Sequence, residues 1–221
     1  MDRGTHGKPI RAFIFDMDDT LAATAAIWRD AEQHLLHSIG ACWSPELAAE
    51  YKGMNALDLA ATVHRRLRPA QALSECRHII RGRLLQNFRD SHIREIDGAT
   101  RLVNRCAALG RPAAVASGSP MEAIELTLNA LGISDMFQCA ISSEQVPRGK
   151  PHPDIFLAAA AELSVAPEAC LVFEDSLIGA AAAHAAGMRC IVRPSIAGAA
   201  IADLAMRTVT AWDQVTLDDL T

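Results

Sequence analysis

The length, composition and charge of the chain narrow the classes of protein it can belong to. Its 221 residues, 50% hydrophobic and 21% charged, predict a globular protein with a substantial core, as one large domain or a domain carrying an insertion. A net charge of −5 disfavours a nucleic-acid partner, since such surfaces are normally basic. No apolar run approaches the ~20 residues that span a bilayer, and the N-terminal MDRGTHGKP lacks a secretory signal, so we expect a cytoplasmic protein without membrane contacts.

Short apolar runs recur along the chain and predict the strands of a parallel sheet. Each is brief and largely apolar, as expected for strands that helices cover on both faces. Segments of helical pattern separate them, which indicates an α/β fold with an open, Rossmann-like parallel sheet. The predicted strands are RAFIF (11–15), PAAVA (112–116), CAIS (139–142), CLVFE (170–174) and RCIV (189–192).

Two of the separating helices have recognisable ends in the sequence. The segment SPMEAIELTLNALG predicts a helix with Ser119 as its N-cap and Gly132 at its C-terminal end. The segment SLIGAAAAHAAG predicts a second helix that begins at Ser176 and ends at Gly187. The second helix consists almost entirely of small residues, which permits a close approach to the sheet.

Residues 22–92 interrupt the alternation of strands and helices. They contain no convincing strand, and apolar residues recur there at helical spacing. About 70 helical residues are too many for a simple crossover between two strands. We therefore predict a helical cap domain, residues 22–92, inserted into a core domain of residues 1–21 and 93–221. The apolar positions at helical spacing are Leu57, Ala60, Val63 and Leu67, then Ile80, Leu84 and Phe88.

Polar side chains collect at the points where the predicted strands end. Ligands bind at the carboxyl ends of the strands in open α/β sheets, so we expect these residues to converge on one crevice. Four strand ends contribute. The residues are Asp16, Asp18 and Asp19 after the first strand, Ser117 and Gly118 after the second, Lys150 in the loop after the third, and Glu174 and Asp175 after the fourth.

The chemistry of this set of residues indicates phosphoryl transfer. Clustered carboxylates repel one another and take up protons unless a cation is present, and Mg²⁺ is the expected hard divalent ion. Lys150, one of only three lysines, then implies a second anion, and a phosphoryl group fits. Ser117 would add a hydrogen bond, and a nearby helix N-terminus a partial positive charge. One carboxylate would attack phosphorus while a neighbour handles protons.

Four segments resemble, in order and with suitable spacing, the motifs of the haloacid dehalogenase-like (HAD) superfamily of phosphohydrolases. FIFDMDDTL resembles the D-x-D-x-T-L signature, VASGS the second motif, GKPHPDIF the third and LVFEDSLIGAAAAHAAGM the fourth. The resemblance spans nearly the whole predicted core. The helical insertion resembles the cap of the branch that contains β-phosphoglucomutase, phosphoglycolate phosphatase and hexose-phosphate phosphatases.

The resemblance implies a role for each matched residue. Asp16 is implied as the nucleophile that forms an aspartyl-phosphate, and Asp18 as the general acid and base. Ser117, Gly118 and Lys150 are implied to hold the phosphoryl oxygens. The implied Mg²⁺ ligands are Asp16, Asp18 through its backbone carbonyl, Glu174 and Asp175.

Asp19 and Ser119 are interpreted as structural residues. Asp19 is predicted to be a loop residue whose side chain bonds to nearby backbone. Ser119 is predicted to cap its helix, with phosphate contact as a secondary role. Ala23 stands where relatives commonly have an acid, close to the entry into the cap. The resemblance therefore does not carry cap closure or substrate preference over to this chain.

Two positions favour a phosphatase over a sugar phosphomutase. The mutases carry an arginine three positions after the glycine of a cap loop that begins KG, and here Lys52-Gly53 is followed by Ala56 at that position. The mutases also favour histidine where this chain has Trp28, and hexose-phosphate phosphatases often have tryptophan there. We expect hydrolysis of a small phosphorylated metabolite, a sugar phosphate above all, by a monomer. The cap residues expected near the leaving group are Trp28, Lys52, Asn55 and Arg81.

Other reaction classes stay open as alternatives. A β-phosphoglucomutase-type mutase is the first. Phosphonate cleavage would require a cap lysine that forms a Schiff base, and the only cap lysine, Lys52, precedes a glycine and is flanked by an ordinary polar sequence. A dehalogenase would not need the pair Glu174 and Asp175. A non-enzymatic receiver module also combines acids, a hydroxyl and a lysine, but its acidic pair precedes the phospho-accepting aspartate in the chain.

Overall fold

A parallel β-sheet forms the centre of the protein. The structure is a computed structural model that describes residues 8–194 and 199–221. Within these residues the strands are β1 (Ala12–Phe15), β2 (Ala113–Ser117), β3 (Cys139–Ser142), β4 (Cys170–Glu174), β5 (Arg189–Val192) and β6 (Arg207–Thr208). They lie in the order β3-β2-β1-β4-β5-β6, and each neighbouring pair is parallel. β1 and β4 are therefore the central strands.

The predicted fold class, an α/β protein with a parallel sheet, is confirmed. All five strands predicted from apolar runs are present. β6 is missing from the sequence-based prediction because its two residues, Arg207 and Thr208, are polar and too few to form a pattern. Pairing with Ile191 and Val192 of β5 makes this short segment an edge strand.

Helices connect the strands. Between β1 and β2 lie α1 (Ala25–Ser38), α2 (Pro45–Tyr51), α3 (Ala56–Leu67), α4 (Leu73–Asp90) and α5 (Ala99–Ala108). The later connections contain α6 (Met121–Leu131), α7 (Asp154–Glu162), α8 (Leu177–Ala185) and α9 (Ala199–Ala202). None of the helices in the described part of the chain has the length and apolar character needed to cross a membrane.

Helices α1 to α4 form a helical insertion after β1, as the sequence predicts. They occupy residues 25–90, inside the predicted range of 22–92, and α4 packs against both α1 and α3. The division of the chain into two domains at those boundaries stays a prediction. The buried residues of this insertion include the predicted positions Ala60, Val63, Ile80, Leu84 and Phe88.

Two of the apolar positions that indicated α3 are not buried in it. Leu57 is only partly buried, and Leu67 is 39% exposed. Leu67 is the last residue of the helix, and the chain turns away at Arg68, which has a φ of 47°. Leu59, two positions after Leu57, is buried instead, so the apolar face of α3 is rotated from the predicted one.

The chain enters and leaves the insertion through two adjacent segments. Ala22 forms an isolated antiparallel bridge with Glu95, and the Ala23 N–H donates to the carbonyl of Arg94 at 2.9 Å. These contacts lie beside the residues that follow β1. Any motion of the insertion relative to the sheet would therefore act on this pair of segments.

The two faces of the sheet carry side chains of different size. Phe13, Phe15 and Phe173 project to the face that shares a core with the insertion, where the rings of Phe15 and Phe173 stack with centroids 4.6 Å apart. Ala12 and Ile14 project to the opposite face, which packs against α7 and α8. The small residues of α8 thus allow the close approach that the sequence predicts.

One of the two predicted N-terminal caps, that of α8, is present in the structure, and that of α6 is not. The prediction that Ser119 caps α6 is wrong: the residue before this helix is Pro120, and no side chain in the described part of the chain caps it. Ser176 does cap α8, since its hydroxyl accepts a hydrogen bond from a backbone N–H in the first turn. Gly132 and Gly187 end their helices with φ of 67° and 72°, as predicted for glycine in the left-handed region.

The register of the central strands aligns the residues that follow them. Phe15 of β1 pairs with Phe173 of β4 and with Val115 of β2. The Asp16 N–H donates to the carbonyl of Phe173 at 2.9 Å, which carries the alignment one residue beyond the strand. Asp16 and Glu174 therefore lie side by side at the carboxyl ends of β1 and β4.

Candidate active site

Three buried acids meet at the carboxyl ends of β1 and β4. Asp16, Glu174 and Asp175 each present one carboxylate oxygen, and these oxygens all lie within 4.8 Å of one another. The Oδ2 atom of Asp16 is buried and has no hydrogen-bond partner among the described residues. Such oxygens suit a hard divalent cation. The residues present therefore fit a metal of the kind expected from the sequence.

The Asp16 carboxyl sits in an electrostatically unfavourable place. Burial is the main cause that raises its pKa well above the ordinary range of aspartate, and the ammonium group of Lys150 opposes this effect. The neighbouring charges of Glu174 and Asp175 raise the pKa further. Additional positive charge beside the cluster would favour the ionised form of Asp16.

Lys150 lies between two of these acids. Its Nζ is 2.7 Å from Asp16 Oδ1 and 2.6 Å from Glu174 Oε1, and all three side chains are buried. Burial by itself would lower the pKa of Lys150, but the two carboxylates outweigh it and hold the pKa above its usual value. The ammonium group also lies 5.0 Å from the centre of the Phe156 ring. Lys150 is therefore a fixed positive charge beside Asp16.

The Glu174 carboxylate is held by the turn that starts α8. Its Oε2 accepts hydrogen bonds from the N–H groups of Asp175 and Ser176, each at 2.7 Å, and from the Ser176 hydroxyl at 2.9 Å. A Cβ atom on Gly179 would lie only 1.7 Å from Glu174 Oε1. Only glycine leaves room for the carboxylate at this position.

Four side chains donate hydrogen bonds to the Asp18 carboxylate. Thr24 Oγ1 and Trp28 Nε1 lie 2.7 and 2.9 Å from Oδ1. The hydroxyls of Ser117 and Ser119 lie 2.9 and 2.8 Å from Oδ2. Two of the donors come from the end of β2 and its loop, and Trp28 comes from the insertion. Ser119 thus contacts the predicted site through its hydroxyl rather than capping a helix.

The loop after β2 is tied to the neighbouring strand. The Ser143 hydroxyl donates to the carbonyl of Gly118 at 2.9 Å, and the Ser142 hydroxyl donates to the carbonyl of Ser119 at 2.7 Å. Gly118 lines the cavity above the sheet, whereas Ser117 is fully buried beneath it. Backbone groups of this loop are therefore closer to the open space than the Ser117 side chain.

The Asp19 side chain contacts both the nearby backbone and a lysine of the insertion. Its φ is 58°, and its Oδ1 accepts from the N–H groups of Thr24 and Ala25 at 3.1 and 3.0 Å, which confirms the predicted bonds to nearby backbone. Its Oδ2 lies 2.5 Å from the Nζ of Lys52, a residue of the insertion. The same Nζ is 3.2 Å from Asp175 Oδ2.

Lys52 therefore has two carboxylate partners that its flanking sequence does not show. Burial tends to lower the pKa of Lys52, but Asp175 and Asp19 outweigh it and raise the pKa above the normal value. A lysine held in the protonated form is a poor nucleophile toward a carbonyl group. This electrostatic setting disfavours a Schiff base at Lys52, and with it phosphonate cleavage.

Asn55 and Arg81 occupy different positions from Trp28 and Lys52. Asn55 caps α3, with its Oδ1 accepting from the N–H of Asp58 at 2.9 Å, and its predicted contact with a leaving group stays a prediction. Arg81 pairs with Glu144 across the surface between the insertion and the sheet, with Nε 2.6 Å from Oε1. Neither Asn55 nor Arg81 lines the cavity as the described residues define it.

A cavity of about 380 Å³ lies between the sheet and the insertion. Its volume is in the range of small-molecule sites. The core contributes the acids and Lys150, and the insertion contributes aromatic, apolar and charged side chains. The insertion residues on its wall include Trp28, Arg29, Glu32, Trp43, Tyr51 and Lys52.

Several residues of the site are missing from the sequence-based prediction. Thr24 binds Asp18, Gly179 makes space for Glu174, and Glu32 lines the cavity. Ser119 was predicted near the site as a helix cap, but its contact with Asp18 was not predicted. A lone glycine in the first turn of an alanine-rich helix was a usable signal for Gly179. The hydroxyl of Thr24 had no such signal, because a threonine near an aspartate in the same loop follows no recognisable pattern.

Comparison with known proteins identifies the family. A family profile described as haloacid dehalogenase-like hydrolase matches residues 10–187. The chain belongs to this family. The family assignment confirms the resemblance drawn from the four motifs and favours an enzyme over a receiver module.

Relatives of this HAD-family protein include named phosphatases. Hexitol phosphatase B of Escherichia coli strain K12 is 30% identical over 190 residues, which are 85% of each chain. A probable pseudouridine-5'-phosphatase of Drosophila melanogaster is 30% identical over 187 residues, covering 82% of this chain and 80% of that protein. These relatives support the predicted enzyme class, a phosphoric monoester hydrolase.

Solved structures match the HAD-family fold along nearly the whole chain. CbbY from Rhodobacter sphaeroides in complex with phosphate superposes with a TM-score of 0.82 at 27% identity, covering 96% of this chain and 99% of that one. β-Phosphoglucomutase from Clostridium difficile has the same TM-score at 23% identity, covering 95% and 94%, and shows the fold alone. The predicted fold with its helical insertion is therefore confirmed.

Proposed function

We propose that this protein is a Mg²⁺-dependent phosphatase that hydrolyses a small phosphorylated metabolite, with sugar phosphates as the preferred class of substrate. The observation that carries the proposal is one cavity lined by Asp16, Asp18 and Lys150, in which a buried oxygen of Asp16 has no hydrogen-bond partner among the residues that the structure describes. The names of hexitol phosphatase B and pseudouridine-5'-phosphatase support a phosphate ester of a sugar-like alcohol.

Asp16 is the proposed nucleophile. One of its oxygens, Oδ1, is held by Lys150 at 2.7 Å, which leaves Oδ2 to attack. As Oδ2 bonds to phosphorus, the bond from phosphorus to the leaving oxygen breaks, and an aspartyl-phosphate results. Lys150, Ser117 and the backbone of Gly118 would hold the phosphoryl oxygens during this step.

Asp18 is the proposed general acid and base. It would give a proton to the oxygen of the leaving alcohol and later take one from the water that attacks the aspartyl-phosphate. Three of its four hydrogen-bond partners are hydroxyl groups, from Thr24, Ser117 and Ser119. A hydroxyl can donate or accept, so these groups can hold Asp18 in either protonation state.

The acidic cluster is the proposed Mg²⁺ site. Asp16, Glu174, Asp175 and the backbone carbonyl of Asp18 would hold the ion, and the first three have oxygens within 4.8 Å of one another. Bound there, Mg²⁺ supplies positive charge that offsets the charge of the carboxylates and of the phosphoryl group. The Ser176 and Asp175 N–H groups keep the Glu174 carboxylate turned toward this place.

The experiment compares Asp16→Asn with the wild type on 4-nitrophenyl phosphate in the presence of Mg²⁺. We expect kcat/KM to fall by at least about 10³-fold, because the amide cannot attack phosphorus. Asp203→Asn makes the same change at an exposed position and should leave the rate unchanged. An Asp16→Asn protein that retains most of its turnover would refute the proposed mechanism.

A sugar phosphomutase is the alternative function and has weaker support. Ala56 occupies the position of the arginine expected in mutases, and it is a buried residue at the start of α3. Both lysines that line the cavity, Lys52 and Lys150, are paired with carboxylates. Incubation with β-glucose 1-phosphate separates the two functions, because a phosphatase releases phosphate whereas a mutase yields glucose 6-phosphate without net release.

A further inference from the structure

Glu32 is a buried acid on the cavity wall that the proposed phosphoryl chemistry does not use. It lies on α1 and is only 8% exposed. The Trp43 indole donates to its Oε2 at 3.0 Å, and no described residue donates a hydrogen bond to its Oε1. The cavity that Glu32 lines is the one that contains Asp16 and Lys150. One oxygen of Glu32 is thus available to a molecule bound beside the acidic cluster.

Burying this carboxyl is unfavourable unless it finds partners. Burial is the main cause that raises the pKa of Glu32 above its ordinary value, and the Trp43 hydrogen bond and the charges of Lys52 and Arg29 oppose it. A carboxylate can accept about four hydrogen bonds. A single indole N–H leaves most of that capacity unused, so a ligand with hydrogen-bond donors would gain from contact with Glu32.

The other groups of the insertion do not offer a strong site for a second anion. Lys52 is engaged by Asp19 and Asp175. Arg29 is exposed, and its guanidinium lies 5.9 Å from the centre of the Trp43 ring. The remaining wall is largely aromatic and apolar. A second phosphate or a carboxylate near Glu32 would meet the like charge of this buried carboxylate.

We propose that Glu32 determines the specificity of the site for the leaving group. It accepts hydrogen bonds from hydroxyl groups of the substrate, and it repels leaving groups that carry a negative charge. The site then takes monophosphate esters of neutral, polyhydroxylated alcohols and discriminates against bisphosphates and phosphorylated carboxylic acids. This inference rests on the proposed phosphatase function and adds to it the residue that selects the substrate.

The test compares Glu32→Gln and Glu32→Met with the wild type on three kinds of ester. These are a hexitol monophosphate, 4-nitrophenyl phosphate, whose leaving group has no aliphatic hydroxyls, and two anionic esters, fructose 1,6-bisphosphate and phosphoglycolate. Glutamine keeps a partner for Trp43, and methionine removes the polar group at similar length. Glu75→Gln is the matched control, because Glu75 is exposed on α4 and does not line the cavity.

We expect the wild type to prefer the hexitol ester. In both Glu32 variants kcat/KM for this ester should fall by about 10- to 100-fold, mainly through a higher KM, since a hydrogen bond to a charged group is lost. The rate on 4-nitrophenyl phosphate should change by less than about threefold. The relative rate on the two anionic esters should rise, and Glu75→Gln should behave like the wild type.

The outcomes separate this inference from the function on which it rests. If the wild type does not hydrolyse 4-nitrophenyl phosphate or any other ester, the phosphatase proposal fails. If the wild type is an active phosphatase but prefers the anionic esters, or if the Glu32 variants lose all esters equally, the specificity role of Glu32 is refuted. A retained rate on 4-nitrophenyl phosphate also shows that the variants are folded.

Discussion

Gly179 shows how a single residue without a side chain positions a charged group. The carboxylate of Glu174 occupies the space that any Cβ at residue 179 would need, since that atom would lie 1.7 Å from Oε1. Glycine is otherwise unfavourable within a helix, by roughly 0.5–1 kcal/mol relative to alanine. Glycine at this position lowers the local stability of the helix, but it leaves room for the Glu174 carboxylate. The position of that carboxylate in turn allows its contact with Lys150.

The substitution Gly179→Ala tests this placement. We expect it to displace the Glu174 carboxylate, break its 2.6 Å contact with Lys150 and lower kcat/KM for an aryl phosphate by about 100-fold or more. Gly82→Ala is the matched control, because Gly82 lies within α4 and a Cβ there would have no atom of the described residues within 4 Å. That control should keep full activity and gain about 0.5–1 kcal/mol in the free energy of unfolding. Unchanged activity in Gly179→Ala would contradict the role assigned to the glycine.

Among the secondary-structure elements, the loop between α2 and α3 packs against the core of the protein. Lys52 of this loop bridges Asp19, after β1, and Asp175, after β4. The next residue, Gly53, has a φ of 85°, and a Cβ there would lie 2.6 Å from Cγ1 of Ile178. The close backbone approach and the two ion pairs hold the insertion against the core beside the acidic cluster.

Replacing Lys52 by methionine should weaken this contact between the insertion and the core. We expect kcat/KM to fall by about tenfold for every ester tested at saturating Mg²⁺, because loosening the insertion affects all substrates alike. This pattern differs from that of the Glu32 variants, whose effect depends on the leaving group. Lys8→Met is the control, since Lys8 forms an exposed ion pair with Glu168 away from the cavity. A loss confined to one class of ester would contradict a role for Lys52 in seating the insertion.

At the scale of the whole molecule, the acidic cluster links folding stability to metal binding. Three acids are buried close together, and the pKa of Asp16 is raised mainly by its burial. A ligand that binds only the folded state stabilises it by about 2.7 kcal/mol at a concentration 100 times its Kd. Occupation of the cluster by a cation should therefore be visible in the unfolding of the entire protein.

Thermal unfolding measures this linkage without any assay of activity. We expect saturating Mg²⁺ to raise Tm by about 5–10 °C for a chain of this size, and a chelator to reverse the shift. NaCl at matched ionic strength should not reproduce it. Asp175→Asn should lose most of the shift, whereas Asp203→Asn should retain it. A Tm that does not respond to Mg²⁺, together with full activity in a chelator, would exclude the proposed metal site.

The sequence alone predicted much of the fold and most of the residues that form the site. Apolar runs predicted five of the six described strands because strands covered on both faces bury every side chain, and burial leaves a direct mark on composition. The polar residues that end these runs were predicted to converge because parallel strands share one carboxyl edge. Asp16, Lys150 and Glu174 do meet there.

The contacts between those side chains could be seen only in the tertiary structure. Ser119 resembled a helix cap because its neighbours Pro120 and Glu122 fit a local pattern, yet its hydroxyl binds Asp18, 101 positions away in the chain. Lys52 and Glu32 likewise acquired their charged surroundings from the way the insertion packs on the sheet. Local patterns record backbone preferences and burial, whereas hydrogen bonds and ion pairs depend on distances that arise only when remote segments are packed together.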